Sequence, residues 1–134
     1  MSYVDILRAD LVLDEGDRNK PYPDQFGKIT IGIGRNLTDV GISEEEKELM
    51  FINDVAKAEV IAAKIFSGFD SMSNVRKAAL ANLAFNMGEA TLSKFVGFIA
   101  LVNAGQWSQA ADDLLRTAYA KEVGPRAQRR AEQL

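Results

Sequence analysis

Glu15, Asp24 and Thr30 are the residues of this chain whose types and spacing could do chemistry together. Glu15 ends a segment that reads as a short amphipathic helix. Packing of that helix's apolar face and the negative helix end would both disfavour the ionised carboxylate. A carboxyl so placed suits a general acid. Asp24 lies in a polar turn with Gln25 and Lys28 near it, where a carboxylate can stay ionised. Thr30 belongs to an alternating run, Ile29 to Gly34. On a strand, Ile29, Ile31 and Ile33 would face the core, while Thr30, Gly32 and Gly34 would put a hydroxyl beside bare backbone that a flat polymer can approach. Glycosidic hydrolysis needs two carboxyl groups, one to protonate the leaving oxygen and one to activate water or stabilise the sugar cation. Each residue also has an ordinary reading: a Glu before a helix-closing Gly is usually a solvated end residue, and an Asp in a Pro-rich turn is usually a turn former.

Composition points the same way. The 134 residues include no Cys and no His, which excludes thiol nucleophiles, imidazole bases and the commonest metal ligands. Ser-His-Asp triads and zinc hydrolases cannot be built from this chain, so catalysis must use carboxylates, Lys, Tyr, hydroxyls or an oxygen-ligated metal. Gly32-Ile33-Gly34 lacks the third Gly and the strand–helix–strand context of a phosphate loop. Glu44, Glu45, Glu46 and Glu48 fan out around a helix start instead of converging on an ion. No cofactor and no metal are expected. The net charge of −3 argues against a nucleic-acid partner. Residues 1–66 carry 8 Lys/Arg against 13 Asp/Glu and residues 67–134 carry 8 against 6, so an acidic half faces a mildly basic one. The longest apolar stretch, Phe95 to Val102, is far short of the ~20 residues of a membrane span. No basic and then apolar leader opens the chain, so synthesis in the cytoplasm without a signal peptide is expected.

The elements that must position these residues follow from pattern. Ser2 and Asp5 form a capping box for a helix to Asp14 with Val4, Leu7 and Leu11 on one face, and Gly16 closes it. Pro21 and Pro23 demote the next segment to an edge strand of a hairpin or three-stranded sheet. Ser43 followed by Glu44, Glu45 and Glu46 starts a long helix to about Phe66. Helices then follow over Asn74–Met87, about Leu92–Ala104, Trp107–Arg116 and after Pro125, with Trp107 in the core. One domain is expected, of α+β class. Its parts are a sheet lobe of about 15–42, a connecting helix of about 43–66, and a helical lobe of about 67–134 joined by the N-terminal helix 2–14.

Asp14-Glu15-Gly16, eight residues between Glu15 and Asp24, five between Asp24 and Thr30, and Thr30-Ile31-Gly32-Ile33-Gly34 resemble the catalytic signature of the bacteriophage-type lysozymes, the glycoside hydrolases that include phage endolysins. The resemblance continues through Val75-Arg76-Lys77-Ala78-Ala79-Leu80, Phe85-Asn86-Met87-Gly88-Glu89, Trp107, and Pro125-Arg126-Ala127 with Arg129. It implies a two-lobed fold and a muramidase. The substrate would be the β-1,4 bond between N-acetylmuramic acid and N-acetylglucosamine in peptidoglycan, cleaved with inversion for bacterial lysis. Glu15 would be the general acid, Asp24 the assisting carboxylate and Thr30 the positioner of water, with Gly32, Asn36, Phe85 and Asn86 contacting the glycan strand. A monomer is expected, reaching the wall by a route not its own. The alternative is a catalytically weak wall-binding or virion module on the same fold. Arg35 stands where the family usually has His, and Asp54 is the expected partner for this permanent cation. Other departures are a short Thr38–Gly41 segment, Asn86 in place of a Gln common in some members, net acidity, and an end soon after Arg130. Tyr119 and Arg126 have two readings, contact with the substrate or completion of the helical bundle, of which the second is preferred.

Overall fold

The computed structural model describes residues 1–134 as seven helices and one small antiparallel sheet. The expected α+β class is what the chain adopts. It divides into two compact units, Met1–Leu49 and Met50–Leu134.

In the first unit, helix α1 (Tyr3–Glu15) begins at the expected capping box. Asp5 N–H donates to the Ser2 hydroxyl while the Asp5 carboxylate accepts from the Ser2 amide. Gly16 closes the helix at φ 89°, its N–H donating to the Val12 carbonyl at 3.0 Å. Strands β1 (Arg18–Pro23), β2 (Ile29–Gly32) and β3 (Arg35–Asn36) follow in spatial order β1-β2-β3. The proline-bearing strand is at the edge, where its missing N–H groups cost no ladder bonds. The alternating run does not stay a strand to Gly34. It turns at Ile33-Gly34, with Ile31 opposite Arg35 and Thr30 opposite Asn36.

Two expectations about burial are corrected here. Thr30 is only 4% exposed and Ile29 is 42% exposed, the reverse of the predicted faces. Thr30 sits on the middle strand between its opposite neighbours Tyr22 and Asn36, and residues directly opposite share a face. The ring and the amide therefore cover Thr30, while Ile29 falls on the side of a sheet too small to have two cores. Nor does α1 carry a packed stripe: Val4 and Leu7 are exposed, and only Leu11 and Val12 are half-buried.

Helix α2 (Glu44–Ile65) starts at Ser43, whose hydroxyl accepts from Glu46 N–H at 3.1 Å while Glu46 Oε1 accepts from Ser43 N–H at 2.8 Å. It runs on into the second unit, where Ala58 and Ala62 are buried. There a short 3₁₀ turn (Phe69–Ser71) precedes α3 (Asn74–Leu92), α4 (Val96–Asn103), α5 (Trp107–Leu115), α6 (Ala118–Val123) and α7 (Pro125–Gln133). Gly88 breaks α3 at φ 77°, ψ 169°, so its regular part ends at Met87 as the pattern predicts. Helix α6 is an element the pattern did not predict. The core holds Phe66 edge-on to Phe98, ring centroids 6.1 Å apart, among Leu80, Leu83 and Leu114. Arg76 lies 4.2 Å over the half-buried Trp107 ring and donates from Nε to the Leu134 carbonyl at 3.0 Å. Tyr119 is buried, edge-on to Phe95 at 6.4 Å; its burial pushes the phenol up, opposed by Arg126 and Arg130.

Candidate active site

Glu15, Asp24 and Thr30 all fall in the first unit, linked by main-chain atoms. Glu15 is the last residue of α1, and Gly16 turns the chain at once into β1. The Tyr22 hydroxyl on β1 donates to the Glu15 carbonyl at 2.6 Å. This bond takes up one of the carbonyls that a helix C-terminus leaves unpaired. Across the sheet, Gly34 comes so close that a Cβ built there would stand 2.7 Å from Glu15 Cβ and 2.9 Å from its Cγ. The Glu15 stem thus lies against bare backbone. Its side chain is solvent-exposed, so the desolvation expected of it is not provided by its own unit. A three-stranded sheet one helix wide cannot enclose a residue at the helix's end.

Asp24 occupies the β1–β2 turn. Its Oδ1 accepts from Phe26 N–H at 2.8 Å and Lys28 N–H at 2.9 Å, its own N–H donates to the Lys28 carbonyl at 2.8 Å, and its carbonyl accepts from Gly27 N–H at 3.0 Å. Asp is favoured in such turns because its short side chain reaches the amides two and four residues on. The turn former is also the candidate carboxylate: Oδ1 holds the loop and Oδ2 makes no hydrogen bond. The Lys28 carbonyl also accepts from the Thr30 hydroxyl at 3.2 Å. With that proton directed at Lys28, the Thr30 oxygen is left with lone pairs to accept from another donor. A single carbonyl therefore fixes both Asp24 and the orientation of Thr30.

Gly32 lies at the strand end opposite Arg18, with φ 66° and open space where a side chain would be. Asn36 is engaged locally: Oδ1 accepts from Asp39 N–H at 2.9 Å, Nδ2 donates to Asp39 Oδ2 at 3.1 Å, and its carbonyl accepts from Val40 and Gly41. Lys28 Nζ adds an ion pair to Asp39 at 3.2 Å, and these contacts hold the Asp39 carboxyl below its usual range. Phe85 and Asn86 belong to the second unit and open onto different hollows there. Phe85 lines one of about 540 Å³ with Phe51 and Val55; Asn86 lines one of about 400 Å³ with Tyr119 and Glu122.

Arg35 corrects another expectation. Its guanidinium pairs with Glu46 at 2.7 Å and reaches the Gly41 carbonyl at 3.3 Å, and Asp54 is not its partner. Glu46 lies on the first turn of α2, beside the sheet, whereas Asp54 is eight residues further along the helix, on the order of 12 Å. Arg35 and the Ser43 amide together pull the Glu46 carboxyl down to about 2. Sequence reasoning missed Tyr22, Gly34 and the Lys28 carbonyl as supports of the site. The tyrosine between two prolines, opposite Thr30 in a hairpin, was the available signal.

A family model described as phage lysozyme matches residues 13–133. Among curated proteins, "Probable T4-type lysozyme 2" and "Probable T4-type lysozyme 1" of Dictyostelium discoideum are 28% and 24% identical to this chain. Each match covers 94% of this chain and 91% of the relative. The "Pre-baseplate central spike protein Gp5" of Enterobacteria phage T4 is 28% identical over 82% of this chain and 23% of its own length.

Proposed function

Since the chain belongs to the phage lysozyme family and is a peptidoglycan hydrolase of lysozyme type, we propose that it hydrolyses the β-1,4 bond between N-acetylmuramic acid and N-acetylglucosamine with inversion, and does so in bacterial lysis. Glu15 donates a proton to the leaving oxygen, Asp24 Oδ2 assists the attacking water, and the Thr30 oxygen accepts a hydrogen bond from that water. Water enters opposite the leaving group and bonds to the anomeric carbon, losing a proton to Asp24 Oδ2, while the glycosidic C–O bond breaks and the Glu15 proton goes to the departing oxygen. Gly32 leaves room for the glycan strand beside Thr30. Asn36, Phe85 and Asn86 are proposed to contact it further along. No cofactor takes part in this scheme.

The observation that carries the reading is the shared Lys28 carbonyl, which accepts from both Asp24 N–H and the Thr30 hydroxyl while Asp24 Oδ2 stays without a hydrogen bond and the Thr30 oxygen, its proton engaged, keeps lone pairs to accept one. Two groups that must act on one water are thereby held by one atom. The test is solubilisation of purified Gram-negative peptidoglycan with released reducing ends counted. Wild type should clear it, and Glu15→Gln, which cannot supply the proton, should lose about 10²–10⁴-fold with its melting curve unchanged. Retention of more than about a tenth of the rate would contradict the acid role. The similarity to a phage spike protein favours one second reading, a virion module that binds the wall with little turnover. Sedimentation with sacculi by both proteins and clearing by neither would establish it.

A further inference from the structure

We propose that Gly34 and Tyr22 are positioning residues for the general acid, holding Glu15 by its stem and its carbonyl so that its own unit fixes the side chain without bonding the carboxyl. The proposal rests on Glu15 being that acid. Within its unit the Glu15 carboxylate takes part in no ion pair or hydrogen bond, since the one bond to this residue goes from the Tyr22 hydroxyl to the main-chain carbonyl at 2.6 Å. A proton donor must not spend its proton on a protein partner, yet it must be held in place. The structure meets both needs below the carboxyl. Tyr22 fixes the end of α1 against β1, and Gly34 fixes the direction in which the side chain leaves it.

The case for Gly34 rests on space as well as on backbone freedom. Its φ of +71° favours glycine, but so does the +69° of Gly41, and a Cβ at Gly41 would meet nothing within 4 Å. At Gly34 alone among the glycines would the Cβ land inside ordinary contact distance of another side chain, at 2.7 Å and 2.9 Å from the Glu15 stem. Ordinary contact starts at about 3.4 Å, so an alanine at 34 moves Glu15 by most of an ångström. A displacement of ~1 Å at a reacting group costs about a hundredfold in rate. Tyr22 acts more mildly, because losing its bond frees the carbonyl without driving the side chain away.

Glu15→Gln, Gly34→Ala, Gly41→Ala and Tyr22→Phe are compared with wild type in the full chain. The readouts are kcat and KM on solubilised glycan strands, urea unfolding, and ¹³C spectra of the side-chain carboxyls of Glu and Asp. Gly34→Ala should lose at least about tenfold in kcat with KM within about twofold, and its Glu15 carboxyl resonance should move while that of Asp24 stays. Gly41→Ala should keep the wild-type kcat, and Tyr22→Phe should lose kcat severalfold at constant KM. If Glu15→Gln is inactive but Gly34→Ala keeps its kcat, or if Gly34→Ala and Gly41→Ala fall alike, the positioning role is overturned. Should Gly34→Ala unfold, a wild-type kcat and an unmoved Glu15 resonance in Tyr22→Phe overturn it instead. An active Glu15→Gln refutes the acid assignment itself, a different result from any of these.

Discussion

Replacing Thr30 by Val or by Ser separates its place in the fold from its place in the reaction. Valine keeps the β-branched shape on a strand and exchanges the hydroxyl for a methyl. The lost bond is the 3.2 Å donation to the Lys28 carbonyl, and that carbonyl still accepts the shorter 2.8 Å bond from Asp24 N–H. No buried acceptor is stranded, so the cost should sit at the low end of a net hydrogen bond, about 0.5–1 kcal/mol. Serine keeps the hydroxyl and loses a methyl from a side chain only 4% exposed, costing about 0.8 kcal/mol by burial. The two variants should thus unfold at nearly the same urea concentration, below wild type by the same margin. Their rates should part company. Val cannot accept a bond from the attacking water and should lose about 10²-fold, whereas Ser should stay within severalfold of wild type. Reducing-end release and ¹H NMR of the first-formed anomer, taken with urea curves, decide it. If Thr30→Val and Thr30→Ser retain equal rates, Thr30 is a core residue of the sheet and the water must be placed elsewhere.

Other outcomes follow from contacts described above. Glu46 falls to about 2 from an ordinary 4.5 when folded, so its stabilisation is complete above the ordinary value and is lost as pH falls from about 4.5 toward 2. Glu46→Gln should flatten the melting temperature over that window and leave the value near neutral pH lower. Equal acid slopes in both proteins would show the Arg35 contact to be energetically silent. Trp107 is the only tryptophan, and Arg76 lies over it. Arg76→Ala should therefore shift the fluorescence and cost about 0.5–2 kcal/mol in urea, whereas an unchanged emission maximum would place the guanidinium elsewhere in solution.

What could be read from the chain beforehand was what local physics decides. Ser2 with Asp5 and Ser43 with Glu46 announced two helix starts within three residues each, Pro21 and Pro23 announced the edge strand, and the expected helix end at Met87 falls where Gly88 breaks α3. The candidate trio stood out for a related reason: its members are spaced by one helix end and one hairpin. What escaped depended on partners far along the chain. The inward face of β2 was set by Tyr22 and Asn36 on either side of Thr30, against its own alternation of isoleucines. Arg35 was matched with Asp54 because a charge pattern gives sign but no distance; the nearer Glu46 was read only as part of the helix start. The contact between Gly34 and Glu15 joins residues nineteen positions apart through an absent side chain, which no pattern of side chains can display.

The bare carboxyl of Glu15 also bears on how such a chain can evolve. Because it is exposed and bonded to nothing in its own unit, that unit gains nothing from keeping it. A single nucleotide change turns a glutamate codon into a glutamine codon, and selection for the stability of that unit would not resist it. Hydrolysis in this lineage is therefore retained only while hydrolysis itself is under selection. Where a relative is kept for attachment alone, the acid should be the first residue to drift, and the turn built around Asp24, which the sheet needs, should outlast it.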